Sequence, residues 1–163
     1  MLQRTIFLLA ALALSGCGKG GPGDNAGLAA KQAQVEQRGK SVMSFDIDRT
    51  MHHFRKLPSG GVQEVVSSDG DPRQIALIRQ HLKSEADRFR SGDFSDPGSI
   101  HGPEMPGLST LSAGAGNIDI RYSEIPEGAR ISYGSADPRL VAAIHSWFDA
   151  QVREHGHHAM AAR

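Results

Sequence analysis

Two amphipathic segments, each preceded by an Asp-Pro pair, constrain the fold more than any other feature. Asp71-Pro72 and Asp137-Pro138 each combine a favoured N-cap residue with a residue suited to the first helical position, so each pair predicts a helix start. The apolar residues that follow recur at helical spacing and predict one buried face per helix. These apolar residues are Ile75, Ile78, Leu82, Ala86 and Phe89 in the first helix, and Leu140, Val141, Ile144, Trp147, Phe148 and Val152 in the second.

A β-hairpin signal precedes each helix, over residues 50–67 around "PSGG" and over the alternating stretch 118–133. The segment 60–78 aligns with 127–144 if one gap is allowed, which indicates either a duplicated ββα unit or a coincidence of two common helix starts. One hairpin with one helix buries little apolar area. We therefore predict that the two hairpins form one antiparallel sheet with both helices on one face, an α+β two-layer sandwich.

The rest of the chain is predicted to be less regular. Residues 94–117 are dense in Gly, Pro and Ser, which favours a long ordered loop with a single helical turn. Residues 17–44 lack a sustained apolar face and are predicted to be a flexible linker. The folded domain is then expected over 45–156, followed by a His-rich tail over 157–163.

Residues 1–16 have the pattern of a secretory signal peptide, with Arg4 ahead of a nine-residue apolar run that is too short to span a bilayer. Residues 14–17, "LSGC", resemble the lipobox of bacterial lipoproteins. That resemblance implies that Cys17 carries a lipid and anchors the protein to a membrane. Because Gly18 rather than aspartate follows, it implies the outer membrane, with the domain facing the periplasm. An ordinary signal peptide followed by a chance cysteine is the alternative.

Charge and cysteine content exclude several classes of function. The chain has 18 basic and 18 acidic residues, so no basic surplus points to nucleic acid. Cys17 is the only cysteine, and its lipidation would leave no thiol for disulfides, catalysis or metal binding. Any metal site in the domain must then use histidine, methionine and carboxylates.

Histidines and methionines cluster along the chain, and this donor set suits copper. We predict a metal site made of His52, His53, His101 and Met105, with auxiliary donors from the tail: His155, His157, His158 and Met160. Structural roles are the alternative for all of them, since His52 shares a strand face with Phe54 while His53 points the other way. His81 and His145 flank the apolar stripes and are predicted to be interfacial residues.

Three segments, 60–82, 92–108 and 133–151, resemble a family of small secreted bacterial proteins, and the resemblance covers about 50–158. Some members carry the name aspartate carbamoyltransferase. The S-x-R-T-R and H-P-x-Q segments of those enzymes are absent, as are the G-x-S-x-G and H-E-x-x-H motifs, so we predict no enzymatic activity. The expected function is that of a lipid-anchored periplasmic binding protein that holds copper or another soft metal. The alternative is a non-enzymatic module that binds an envelope protein.

Overall fold

A computed structural model describes residues 22–163 as five helices and five strands, joined in places by short 3-10 turns. The predicted signal peptide and Cys17 lie outside the described residues. The helices are α1 (Pro22–Val42), α2 (Pro72–Arg90), α3 (Ser95–His101), α4 (Leu108–Gly114) and α5 (Pro138–His155). The strands are β1 (Thr50–Leu57), β2 (Gly60–Ser67), β3 (Asp119–Ile125), β4 (Gly128–Gly134) and β5 (Ala159–Ala161). Across 22–163, no helix combines the length and apolar character needed to cross a bilayer.

The strands form one sheet in the order β3-β4-β2-β1-β5. The two hairpins join where β2 pairs antiparallel with β4, from Gly60 opposite Gly134 to Val66 opposite Gly128. The predicted α+β two-layer sandwich is confirmed. The sheet is mixed rather than purely antiparallel because β5 pairs parallel with β1.

Both predicted helix starts are present. Asp71 accepts a hydrogen bond from the Arg73 N–H, and Asp137 accepts one from the Arg139 N–H, each at 2.8 Å. Each satisfies one of the amide groups that a helix start leaves unpaired. The apolar stripes of α2 and α5 face the sheet and build one core. Its most deeply buried side chains include Ile78, Val65, Ile131, Ile144, Trp147 and Phe148.

Residues 22–42 form helix α1 instead of the predicted flexible linker. The helix docks through Val35, which is 0% exposed, and through hydrogen bonds from its side chains to backbone carbonyls. Gln32 Nε2 donates to the Arg153 carbonyl at 2.8 Å, and Lys31 donates to the His101 carbonyl. A helix that docks through hydrogen bonds from its side chains to backbone carbonyls needs no apolar stripe. The apolar periodicity of the sequence therefore did not predict that α1 docks on the domain.

The C-terminal residues are also ordered, where the sequence predicted a His-rich tail. Strand β5 covers the outer edge of β1, and the Ala162 N–H donates to the Phe54 carbonyl at 2.8 Å. An edge strand presents unpaired backbone groups that another segment can satisfy, whatever its side chains. In the predicted loop 94–117, two short helices, α3 and α4, replace the single expected turn.

Candidate functional site: a buried histidine cluster

A cavity of about 40 Å³ lies between the sheet and helices α2, α3 and α5. Four histidines from four different elements line it, and the thioether-bearing residue Met43 lines it as well. Buried polar groups need partners, so a cavity lined by several imidazoles is unusual for a simple core. The histidines are His52 on β1, His81 on α2, His101 on α3 and His155 on α5.

Local structure sets the position of each of the most buried histidines. His52 faces inward because Thr50, His52 and Phe54 alternate with outward residues along β1. His101 and His155 are the last residues of α3 and α5. Gly156 then adopts φ 57°, a conformation that favours glycine, and turns the chain away from α5. Two helix C-termini, with their partial negative charge, therefore meet at the cavity.

The two imidazoles at these helix ends point nitrogen to nitrogen. His101 Nε2 and His155 Nε2 lie 3.2 Å apart, and both residues are almost fully buried. His52 stacks on His155 with ring centres 5.1 Å apart and an interplanar angle of 9°. The cavity therefore presents a pair of imidazole nitrogens with a third ring stacked beside them.

Groups outside the cavity hold two of these rings through Nδ1. His101 Nδ1 lies 3.0 Å from Glu154 Oε2, and His52 Nδ1 lies 3.3 Å from the His158 carbonyl oxygen. When each ring is neutral, Nδ1–H donates to that oxygen and the lone pair is on Nε2. Histidines that bind metals in proteins are oriented in this way, by a carboxylate or a carbonyl on the second nitrogen.

Burial controls the charge of the cluster. It lowers the pKa of His52 to about 4 and the pKa of His155 well below its usual range. Burial also lowers the pKa of His81. Burial alone would raise the pKa of Glu154, but hydrogen bonds from His101 and Arg153 bring it below its ordinary value. At neutral pH the site therefore combines the uncharged rings of His52 and His155 with the ionised carboxylate of Glu154.

The cavity wall also carries polar side chains other than the histidines. Trp147 Nε1 and Gln151 Oε1 are buried and have no hydrogen-bond partner within residues 22–163. Burial, followed by a hydrogen bond with Asp96, raises the pKa of Glu85 to about 8. An orphan donor, an orphan acceptor and a protonated carboxyl group together indicate a cavity built for a polar occupant.

The predicted ligand set does not come together as one site. His53 points to the opposite face of the sheet from His52, where its register partners are Glu64 and Met160. Met105 is 5% exposed and packs in the apolar core, away from the cavity lining. Of the predicted primary ligands, the structure therefore keeps His52 and His101. A methionine near a histidine in sequence need not share its face, and the loop after α3 turns Met105 inward.

The auxiliary donors separate as well. The His155 side chain joins the cavity, whereas the His158 side chain points away from it and lies 3.6 Å from Asp48 Oδ1. His157 is exposed and packs against His158, and Met160 is 45% exposed. His145 has the structural role predicted for it, because its Nε2 donates to the Gly60 carbonyl at 2.8 Å.

Sequence reasoning missed three residues of the site: Met43, His81 and Glu154. Met43 has no histidine within four residues, so adjacency in the sequence gave it no weight. For His155, which was predicted as an auxiliary donor, the sequence also contains a signal that it lies in the core. The buried stripe of α5 continues from Trp147 through Gln151 to His155 at a spacing of four, which marks polar residues on a core-facing helix surface.

No protein-family model, curated protein or solved structure matches the chain. The resemblance to a family of secreted bacterial proteins therefore stays a prediction. Function has to be inferred from the geometry and chemistry of the cavity.

Proposed function

We propose that this protein binds a single transition-metal ion in the buried histidine cavity and that copper is its preferred metal. His101 and His155 provide the first two nitrogen ligands, and His52 and Met43, which line the same cavity, are the candidates to complete the coordination. The separation of 3.2 Å between the two Nε2 atoms carries the proposal. A metal–imidazole bond is about 2.0–2.1 Å long, so two nitrogens on one tetrahedral ion lie about 3.4 Å apart. The observed pair is close to that spacing.

The surroundings of the pair favour a cation. Glu154 contributes a negative charge directly behind His101, and α3 and α5 direct their C-terminal ends at the site. The low pKa values of His52 and His155 keep both rings uncharged, so an incoming ion displaces no protons from them at neutral pH.

The size of the cavity supports an ion over an organic substrate. Sites for drug-sized molecules are about 300–1,000 Å³. The space here, about 40 Å³, is enough for an ion with one or two water molecules. This comparison favours metal binding over catalysis on a small-molecule substrate.

The donor types indicate which metals fit. Imidazole nitrogen binds copper, zinc and nickel, and a thioether adds preference for Cu(I). Met43 lines the same cavity as the histidines, which supports a mixed imidazole–thioether ligand set with a different methionine from the one predicted. Magnesium and calcium prefer oxygen ligands and are poor candidates.

We also propose the cellular setting expected from the sequence, a domain anchored by a lipid on Cys17 and exposed to the periplasm. The alternative function, a protein-interaction module, has less support. Within residues 22–163, Met160 is the exposed large apolar side chain, and the uncovered sheet face carries ion pairs such as Arg130–Glu64. A face of that kind offers little apolar area to a stable partner.

Metal titration of the full chain tests the proposal. Cys17→Ser removes the only thiol, and detergent keeps the apolar N-terminal segment soluble. The chain has one tryptophan, Trp147, which lines the cavity, so Cu(II) bound there should quench its fluorescence. We expect one equivalent of Cu(II) or Cu(I) to bind in the cavity and the double change His101→Gln/His155→Gln to abolish the Cu(II) quenching.

His53→Gln is the matched control, because His53 neighbours a cavity histidine but faces the other side of the sheet. It should leave both binding and quenching unchanged. A dissociation constant weaker than about 10 µM for Cu(I), Cu(II) and Zn(II) alike would rule out a physiological metal site in the cavity. The C-terminal strand must be kept in every variant, since β5 completes the sheet beside His52.

A further inference from the structure

We propose a second metal site on the surface, formed by Glu36, Asp48 and His158, that takes a divalent cation such as Zn(II) or Mn(II). One ligand atom from each residue can be chosen so that all three lie within 4.8 Å of one another. This site shares no side chain with the histidine cavity, and its one link to the cavity is the His158 carbonyl, which faces His52 Nδ1. Two carboxylates with one imidazole suit zinc and manganese better than copper(I).

Three separate segments bring the ligands together. Glu36 lies on α1, Asp48 on the 3-10 turn before β1, and His158 on the turn between α5 and β5. Asp48 is held in place by its own backbone, because the Asp48 N–H donates to Asp46 Oδ1 at 3.0 Å. An ion at this position would therefore join the N-terminal helix to both ends of the folded domain.

His158 provides the observation that points to a ligand. Its side chain is 7% exposed, and its Nε2 atom is fully buried with no hydrogen-bond partner in residues 22–163. Nε2 instead faces Asp48 Oδ1 at 3.6 Å, a distance too long for a hydrogen bond. A buried nitrogen that lacks a partner carries a desolvation cost, and coordination to a cation would offset it.

The carboxylates have the freedom to close around an ion. The Glu36 and Asp48 side chains are 38% and 55% exposed, so small rotations can bring their oxygens to coordination distance. The buried imidazole is then the fixed ligand and the two acids are the movable ones. Closure on an ion would draw α1 toward the turn that carries Asp48.

Lys40 occupies part of this site with its ammonium group. Its Nζ lies 2.7 Å from Glu36 Oε1 and 3.1 Å from Asp48 Oδ2. An ammonium carries one charge where a metal carries two, and the Lys40 side chain is 46% exposed, so it can swing into solvent. Lys40 therefore acts as a competitor for the ion, and its removal should strengthen metal binding.

The test measures Zn(II) binding by calorimetry on the full chain with Cys17→Ser, in the parent and with the cavity ligands removed by His101→Gln/His155→Gln. Zn(II) has a filled d shell and does not quench tryptophan, so the heat that this cavity variant retains reports the surface site. Asp48→Asn in that background should weaken the retained binding by at least about 10-fold, since even the loss of an outer-shell partner costs a metal site about 10- to 100-fold. Lys40→Gln should tighten it, which a purely structural ion-pair network would not do.

Asp149→Asn and Lys83→Gln are matched controls, since each removes one member of an exposed acid–lysine pair elsewhere. A second readout is hydrogen exchange in α1, which Zn(II) should slow in the parent chain and leave unchanged in Asp48→Asn. The proposal is overturned if Lys40→Gln and Asp48→Asn bind Zn(II) as the two controls do, or if Zn(II) leaves α1 exchange unaltered. Failure of the cavity site would appear separately, as the absence of Cu(II) quenching of Trp147.

Discussion

Glu154 Oε2 lies 3.0 Å from His101 Nδ1, and this contact joins the C-terminal end of α5 to that of α3. Both side chains are buried, at 8% exposure for Glu154 and 1% for His101. The contact with Glu154 fixes the His101 ring so that His101 Nε2 meets His155 Nε2. The Glu154 carboxylate thus orients His101 toward His155 in the proposed copper site.

The first prediction concerns this carboxylate. Glu154→Gln keeps the size of the side chain but removes the charge that orients His101, so we expect Cu(II) affinity to fall by about 10- to 100-fold. Titration followed by Trp147 fluorescence measures the change. Glu104→Gln, at an exposed position in the turn after α3, should bind copper as the parent does. Equal affinities for the two variants would show that Glu154 does not support the site.

The second prediction separates the two methionines. Met43→Leu should weaken Cu(I) binding more than Zn(II) binding, because the thioether is a soft ligand that zinc does not need. Met105→Leu should leave both affinities unchanged, since Met105 packs in the core and the volume of the side chain is kept. Competition with a Cu(I) chelator provides the measurement. A stronger effect at Met105 would restore the site expected from the sequence.

The third prediction concerns acid stability. Burial lowers the pKa of His52 to about 4 and that of His155 well below its ordinary range, so the unfolded chain binds more protons than the folded chain below about pH 6.5. Stability should therefore fall as the pH drops from about 6.5 to about 4, with His52 alone contributing about 1.4 kcal/mol per pH unit and His155 steepening the fall. Urea unfolding at several pH values measures it, and His52→Gln should flatten the slope. A parent slope no steeper than that of the variant would contradict the burial of a neutral ring.

The fourth prediction is a loss of stability as the pH rises, opposite in direction to the third. Burial raises the folded-state pKa of Glu85 to about 8 from an ordinary value of 4.5, so its contribution to stability is present below pH 4.5 and is lost as the pH rises toward 8. Between pH 6.5 and 8 the parent should lose about 2 kcal/mol that Glu85→Gln does not lose. Urea unfolding across this window checks the difference. Glu127→Gln, an exposed control, should follow the parent curve.

The fifth prediction tests the docking of α1. Val35 is 0% exposed, so Val35→Ala should cost about 2 kcal/mol of unfolding free energy and speed hydrogen exchange in α1. Gln34→Ala, at an exposed position of the same helix, should have little effect on either quantity. If Val35→Ala behaves like Gln34→Ala, residues 22–42 are the linker that the sequence predicted.

Local signals in the sequence were enough for the framework of the fold. Asp71 and Asp137 start their helices through contacts with amides two residues away. The hairpins and the apolar stripes likewise depend on periodicity within about twenty residues. Those signals predicted both hairpins, α2, α5 and the two-layer sandwich, because each element is chosen mainly by its neighbours along the chain.

The sequence alone also narrowed the donors to histidine, methionine and carboxylates, but tertiary structure decided which of them meet. His52, His101 and His155 come from a strand and two helix ends up to 103 positions apart, and no local period encodes their contact. The docking of α1, the pairing of β5 and the placement of Met43 depend in the same way on partners distant in sequence. Helix caps and stripes are fixed by short-range geometry, whereas a buried site forms only where packed elements bring distant side chains together.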